Sequence, residues 1–353
     1  MITLCVIGCI MVYSASCYSS QKNYSDSYVF LIKQIIGVVL GFCGFCFFYF
    51  FDYQKLKKFK WIMVGVTIVL LLLVFVPGIG ISNYGATRWI NIFGISFQPS
   101  EVAKFSLVLF CACHFSKNKS SAKSFKTLIP VLLIGGIFCL LVIIEPNMSI
   151  TMCLGLTLLC MMFLGGVKIK HFAIIAIPAL LLVPVLIIIE PYRLQRLLAF
   201  IDPWASPQGE GFQLIQSLYS LGNGGLFGIG LFSSRQKYLY LPFAESDFIF
   251  SIICEELGFC GAVFVLLIFL IMIICLIKIS LNANNRFASL LVAGIACVIG
   301  VQVILNIAVV TGSIPPTGLP LPFISAGSTS LLVFMSAIGV VLNVDRQSRK
   351  SRI

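Results

Sequence analysis

The chain has 353 residues, 59% of them apolar and only 10% charged. A soluble domain carries about 25% charged residues, so an ordinary soluble fold is excluded, and disordered or low-complexity classes fall with it. Lys and Arg number 24 against 12 Asp and Glu, a net charge of +12; in an apolar chain that excess reports how loops are threaded through a membrane rather than nucleic-acid binding.

A helix needs about 20 apolar residues to cross the roughly 30 Å hydrocarbon core. In chain order, the stretches 1–18, 29–51, 61–81, 98–115, 127–145, 150–165, 172–189, 248–277, 288–312 and 328–344 predict about ten transmembrane helices. Lipid offers no partner to free backbone groups, so these spans are helices and not strands. The fold class is all-α, a polytopic integral membrane protein forming one domain over 1–353. A large extracytoplasmic loop at 190–247 separates helices seven and eight, and a Pro/Gly-rich extracytoplasmic loop occupies 313–330. The first stretch is short and no basic residue precedes it, which reads as a helix trimmed at its start rather than a signal peptide.

Segments 52–60, 116–126, 166–171, 278–287 and the tail 345–353 hold sixteen of the 24 cations and alternate with less basic ones. They are expected in the cytoplasm together with both termini. Of the acids only Asp52 and Asp345 fall in these segments. The cysteines lie nearly all within predicted helices. Cys43 and Cys46 form a CxxC without a second CxxC or a His pair, so they read as small packing residues, with no metal or disulfide.

Loops much longer than about 15 residues usually serve a function. Irregular backbone at membrane depth is tolerated only where protein buries it or a polar cavity exists. Segments 222–230 and 313–330 therefore predict a cavity near the outer face. The cations on that side are Arg88, Lys104, Arg193, Arg196, Arg235 and Lys237, with Lys22 and Lys33 near the first hairpin. Lys104 lies about 9 Å inside its span, and Glu101 stands three residues earlier on the same face. That spacing allows an ion pair or, alternatively, a lysine free for a phosphate. Arg193 and Arg196 either flank an anion or snorkel.

Asp247 opens the eighth span, as a helix cap or as a carboxylate placed to take a proton from a sugar hydroxyl. Glu255 and Glu256 follow about 12 Å deeper on that helix, and Glu145 ends the fifth span. Acids inside a membrane face the bundle interior and mark a site or an ion path. No GxxxxGK[ST] loop exists, and His114 and His171 lie at cytoplasmic edges. An outer-face enzyme so built needs a substrate already activated in the membrane, such as a lipid-linked pyrophosphate.

In order along the chain stand Gly85-Ala86-Thr87-Arg88-Trp89-Ile90, Gln98-Pro99-Ser100-Glu101 with Lys104, and Glu145-Pro146-Asn147. Asp202-Pro203-Trp204, the run Gln213 to Gly230 and Ser234-Arg235-Gln236-Lys237 follow. Ser246-Asp247-Phe248-Ile249-Phe250 with Glu255-Glu256-Leu257-Gly258, and Thr317-Gly318 through Ser330, complete the series. Together they cover nearly the whole chain and resemble the SEDS family, whose members are named FtsW, RodA and SpoVE.

The resemblance implies a peptidoglycan glycosyltransferase polymerising lipid II on the outer face of the bacterial cytoplasmic membrane. The implied partners are lipid II, undecaprenyl-pyrophosphate-linked glycan, membrane lipids and a class B penicillin-binding protein, with no nucleic acid. Asp247 matches the family's catalytic carboxylate, with general base as its natural role. An α-linked donor giving a β-1,4 bond implies inversion by a single displacement. Arg88, Lys104, Arg193, Arg196, Arg235 and Lys237 are the candidates for the pyrophosphate; Trp89, Glu101, Glu245, Glu255, Ser325 and Ser328 support the site. A divalent cation such as Mg2+ could share the charge, although the sequence shows no dedicated metal site. Phe243 stands where the family usually has Glu, and Glu245 where His or Gln is common, which brings two acids close together at Glu245 and Asp247. Asn147 replaces a frequent Asp and is given no acid–base work. Two other readings are a flippase or transporter of lipid-linked precursors, using Lys104, Glu145 and Glu255 as a polar path, and a scaffold recruiting a transpeptidase.

Overall fold

The structure is a computed structural model, describing residues 1–83, 86–92, 95–117, 125–189 and 191–350. Gly85, Glu190, the 118–124 part of the basic segment 116–126 and the last three residues of the tail lie outside the described residues. Every apolar stretch coincides with a helix. These are α1 (Ile2–Tyr24), α2 (Val29–Phe50), α3 (Leu56–Leu73), α4 (Pro99–Lys117), α5 (Phe125–Ile144), α6 (Met148–Gly165) and α7 (Ile169–Ile189), then α10 (Ile249–Leu281), α11 (Arg286–Val310) and α12 (Ser328–Lys350). The segment 190–247 contributes two shorter helices, α8 (Pro191–Ile201) and α9 (Phe212–Gly224).

Against the ten crossings expected, 7 helices among the described residues are long and apolar enough to span a bilayer: α1, α2, α5, α6, α10, α11 and α12. The other three differ in sequence. α3 opens on Lys57, Lys58 and Lys60, α4 carries Glu101 and Lys104, and α7 contains Pro178 and Pro184. α3 also stops at Leu73, short of the expected 81, ahead of Pro77-Gly78. Proline supplies no N–H to continue a helix. Beyond it the chain forms strands β1 (Gly80–Asn83), β2 (Ala86–Ile92) and β3 (Ile95–Phe97). That small sheet is a departure from an all-helical chain.

The chain folds as two compact units, each drawn from three separate segments. The first comprises Met1–Val38, Ile177–Met272 and Gln302–Gly327. Within it α9 is tied to two longer helices through Ser217, whose hydroxyl donates to the Val310 carbonyl at 2.8 Å and lies 2.8 Å from the Ser251 hydroxyl. α8 alternates Arg193 and Arg196 with Leu194, Leu197 and Leu198, and leaves Leu198 and Ile201 exposed. Such a two-faced helix suits an apolar–water boundary.

The second unit comprises Val39–Ala176, Ile273–Val301 and Ser328–Ile353. α4 is its central helix, buried along most of its length, with α3 and α6 packed against it. The antiparallel sheet runs β1-β2-β3, with Gly80 opposite Ile90 and Ile90 opposite Phe97. Thr329, at the start of α12, donates to the Ser96 carbonyl at 3.1 Å and accepts from the Gln98 N–H at 3.2 Å. Asn343 of α12 secures the turn after α2, accepting from the Tyr53 N–H at 3.2 Å and donating to the Tyr49 carbonyl at 2.6 Å. A buried polar group costs free energy unless bonded, so these amides fix how the elements meet.

Candidate active site

Asp247 precedes the first turn of α10 and is half-buried. The backbone around it is held at three successive carbonyls. Glu245 accepts from the Ala326 N–H at 2.9 Å, Ser246 from the Ser325 hydroxyl at 2.6 Å and Asp247 from the Asn306 side-chain amide at 2.8 Å. Asn306 also donates to the Leu319 carbonyl at 2.6 Å, and Ser325 accepts from the Leu321 N–H at 2.7 Å. Gln302, one helical turn from Asn306, donates to the Pro320 carbonyl at 2.8 Å. Gln34 donates to the Ile324 and Ser325 carbonyls and accepts from the Gly327 N–H. The Pro/Gly-rich segment is therefore a bonded frame around Glu245–Asp247. Gly318 sits at φ +69°, and a Cβ there would come within 3.0 Å of the Asp247 carboxylate. Only glycine adopts that backbone cheaply and leaves the carboxylate room.

Glu245 is half-buried two residues away. Its carboxyl is raised above the ordinary value, first by burial and also by the charge of Asp247; a hydrogen bond to its own backbone opposes the rise. The charge of Asp247 thus disfavours ionisation of both carboxyls together. Among the described residues no group of three His, Cys, Asp or Glu gathers to hold a metal ion.

Deeper in the same unit, α10 breaks at Gly258 (φ 69°, ψ −170°). The carbonyls of Glu255 and Glu256 accept from Ile229 and Gly230 at 3.0 and 3.1 Å. Beyond the break, the N–H groups of Phe259 and Cys260 donate to Gly225 and Leu226 at 2.9 and 3.0 Å. The Gly-rich run 225–230 thus satisfies the backbone groups freed by the break, as irregular backbone in an apolar setting requires. A side chain at Gly228 would collide with the Glu256 carbonyl.

The cations fall into distinct settings. Arg235 is exposed and Arg193 half-buried. Arg196 donates to the Pro316 carbonyl at 3.1 Å and lies 3.7 Å from Glu210. Lys237 is buried and faces Glu256 at 3.3 Å. In the second unit Arg88 and Trp89 lie on β2, and Arg88 donates to the Pro146 carbonyl. Lys104 meets Glu101 at 2.9 Å with both side chains fully buried, so the ion pair allowed by their spacing forms. Ser328 opens α12 in that unit. Asn147 caps α6, accepting from the Ile150 N–H at 3.3 Å. Asp247, Glu245, Ser325, Arg193, Arg196, Arg235, Lys237 and Glu255 fall in the first unit, and Arg88, Trp89, Glu101, Lys104 and Ser328 in the second.

A family model described as a cell cycle protein, covering FtsW, RodA and SpoVE, matches residues 1–350. The chain belongs to the FtsW/RodA/SpoVE family. It is 38% identical over 347 residues to stage V sporulation protein E of Bacillus subtilis (strain 168), covering 98% of this chain and 95% of that one. It is also 38% identical over 349 residues to a probable peptidoglycan glycosyltransferase FtsW of Geobacter sp. (strain M18), covering 99% and 95%. A solved chain from a peptidoglycan synthase complex that coordinates polymerization and crosslinking matches with a TM-score of 0.78 and 27% identity, over 99% of this chain and 98% of that one. The rod shape determining protein RodA of Thermus thermophilus shares the fold, with a TM-score of 0.71 and 24% identity over 98% and 94%.

For this FtsW/RodA/SpoVE-family chain, Gln34, Gln302 and Asn306 bond the frame of the candidate site and were passed over in the sequence. The signal was present. Each is an amide inside an apolar helix, and Gln302 and Asn306 stand four apart on one face of α11. Polar side chains in such helices usually mark an interior contact.

Proposed function

We propose that this SEDS-family chain is a peptidoglycan glycosyltransferase that polymerises lipid II into glycan on the outer face of the bacterial membrane. The observation that carries the reading is the framing of Asp247. Its carboxylate is half-buried, while its backbone and its two predecessors are each locked by a separate hydrogen bond. A base so fixed keeps its position while an acceptor sugar hydroxyl gives up its proton and attacks the anomeric carbon of the lipid-linked donor. General-base catalysis of this kind contributes about 10²–10⁴-fold. Glu245, whose carboxyl is raised by burial and by the charge of Asp247, ionises less readily than an ordinary carboxyl beside the base. An α-linked donor then yields a β-1,4 bond in one inverting displacement.

The leaving pyrophosphate needs positive charge as the bond breaks. Arg235 and Arg193, in the same unit as Asp247, are assigned to it. Lys104 and Lys237 face Glu101 and Glu256, which favours anchoring roles for them over phosphate binding. Of the path Lys104, Glu145 and Glu255, the first and last are held in bonds that a carrier would have to break, which supports enzyme over transporter. The basic segments are placed in the cytoplasm with both termini, Asp247 faces outward, and a class B penicillin-binding protein supplies the crosslinking partner. The test is reconstitution of the full chain with that partner and labelled lipid II. Wild type forms glycan polymer and Asp247→Asn lowers the rate at least about 100-fold. Equal polymer from both would overturn the assignment.

A further inference from the structure

Glu255 and Glu256 take no part in the proton transfer, yet both are buried and every oxygen of both carboxylates is bonded. Glu255 accepts from the Ser234 hydroxyl and from the N–H groups of Arg235 and Gln236, the latter two at 3.2 and 3.4 Å. Glu256 accepts from the Phe232 and Ser234 N–H groups at 3.0 and 3.2 Å, from the Ser14 hydroxyl of α1 at 2.6 Å and from Lys237 at 3.3 Å. Successive N–H groups aimed at an anion form a nest, and charge-assisted bonds of this kind are the strong ones. The main-chain carbonyls of the same two residues hold Ile229 and Gly230. Two adjacent residues at the break in α10 therefore grip the loop 229–237 through both side chain and backbone.

The grip has a directional result. Ser234, Gln236 and Lys237 are buried, whereas Arg235 between them is exposed. The Lys237 ammonium is used inside the network, bonding Glu256 and the Phe232 carbonyl at 2.6 Å. Arg235 is the loop cation turned outward, on a backbone whose neighbouring amides are already committed. With its backbone already held, Arg235 has only its own side-chain rotamers left to order when it meets an anion.

We propose that Glu255 and Glu256 are positioning residues, holding the loop 229–237 so that Arg235 stands ready for the pyrophosphate of the lipid-linked substrate. This rests on the glycosyltransferase reading only for the identity of the anion. The test uses the full chain in nanodiscs with a polyprenyl pyrophosphate as probe and the uncharged polyprenol as control. Amide hydrogen exchange is followed over 229–237.

Glu255→Ala is expected to speed exchange there and to weaken pyrophosphate binding about tenfold, leaving polyprenol binding unchanged. Arg235→Ala weakens binding to a similar extent without faster exchange. The double variant binds no more weakly than Arg235→Ala alone, because the anchor acts through that side chain. Ser234→Ala, which removes one donor to Glu255 and the acceptor of the Lys237 N–H, gives a smaller loosening in the same direction and serves if Glu255→Ala does not fold. Unchanged exchange, or losses that multiply in the double variant, would overturn the proposal. Polymer formation is scored separately. A wild type that binds the pyrophosphate and makes no polymer sinks the polymerase reading, while the anchor is still decided by exchange and by the double variant.

Discussion

Two buried lysine–glutamate pairs, one in each unit, solve the same problem differently. Lys104 and Glu101 meet at 2.9 Å on one turn of α4, with the Lys104 ammonium 5.1 Å above the Phe334 ring. The second Glu101 oxygen has no hydrogen-bond partner. Lys237 and Glu256 are looser at 3.3 Å, yet Glu256 is also bonded by a hydroxyl and two backbone N–H groups. Taking charges out of water is repaid only when the remaining lone pairs are satisfied as well. The short pair therefore depends on its lysine far more than the long one does.

The largest expected effect comes from breaking the dependent pair. Lys104→Met leaves Glu101 buried with no bonded partner, a loss of about 3–5 kcal/mol. It is read as a lowered melting temperature of the detergent-purified chain. Lys104→Met with Glu101→Leu removes both charges and recovers most of that loss, because an apolar pair of similar volume replaces the ions. A single variant as stable as wild type would break the comparison. Lys237→Met comes next, at about 1–3 kcal/mol, since Glu256 keeps Ser14, Phe232 and Ser234 as donors. A loss equal to that of Lys104→Met would mean that backbone donors do not stand in for an ammonium.

The two pairs also mark how far sequence reasoning reaches. Glu101 and Lys104 are three residues apart, so helical spacing alone places them together. Glu256 and Lys237 are 19 apart, and their meeting needs the break at Gly258 and the loop that fills it. A glycine in an apolar run carries no local sign that the helix stops there. The helices were legible because each is a long apolar run, which lipid permits only as helix. Strands β1, β2 and β3 were not, because each is short and the first begins inside the apolar stretch expected to stay helical to 81. At the site, Asp247 and the Pro/Gly-rich segment were legible from motif and composition. The amides of Gln34 and Asn306 that bind them together were not, because their partners are carbonyls far along the chain.

Glu145 extends the comparison to an acid whose two oxygens have no hydrogen-bond partner at all. It lies between α5 and α6, fully buried, beside Arg88. A charge buried without bonded donors is costly, whereas an amide of the same shape carries no charge to desolvate. Glu145→Gln is therefore expected to cost less than about 1 kcal/mol or to stabilise, read as a melting temperature at or above that of wild type. Glu256→Gln leaves the Ser14, Phe232, Ser234 and Lys237 donors facing a neutral amide and is expected to cost about 1–3 kcal/mol. Equal losses in the two variants would show that Arg88 compensates Glu145 as fully as the loop donors compensate Glu256, and the contrast between bonded and unbonded buried acids would then fail.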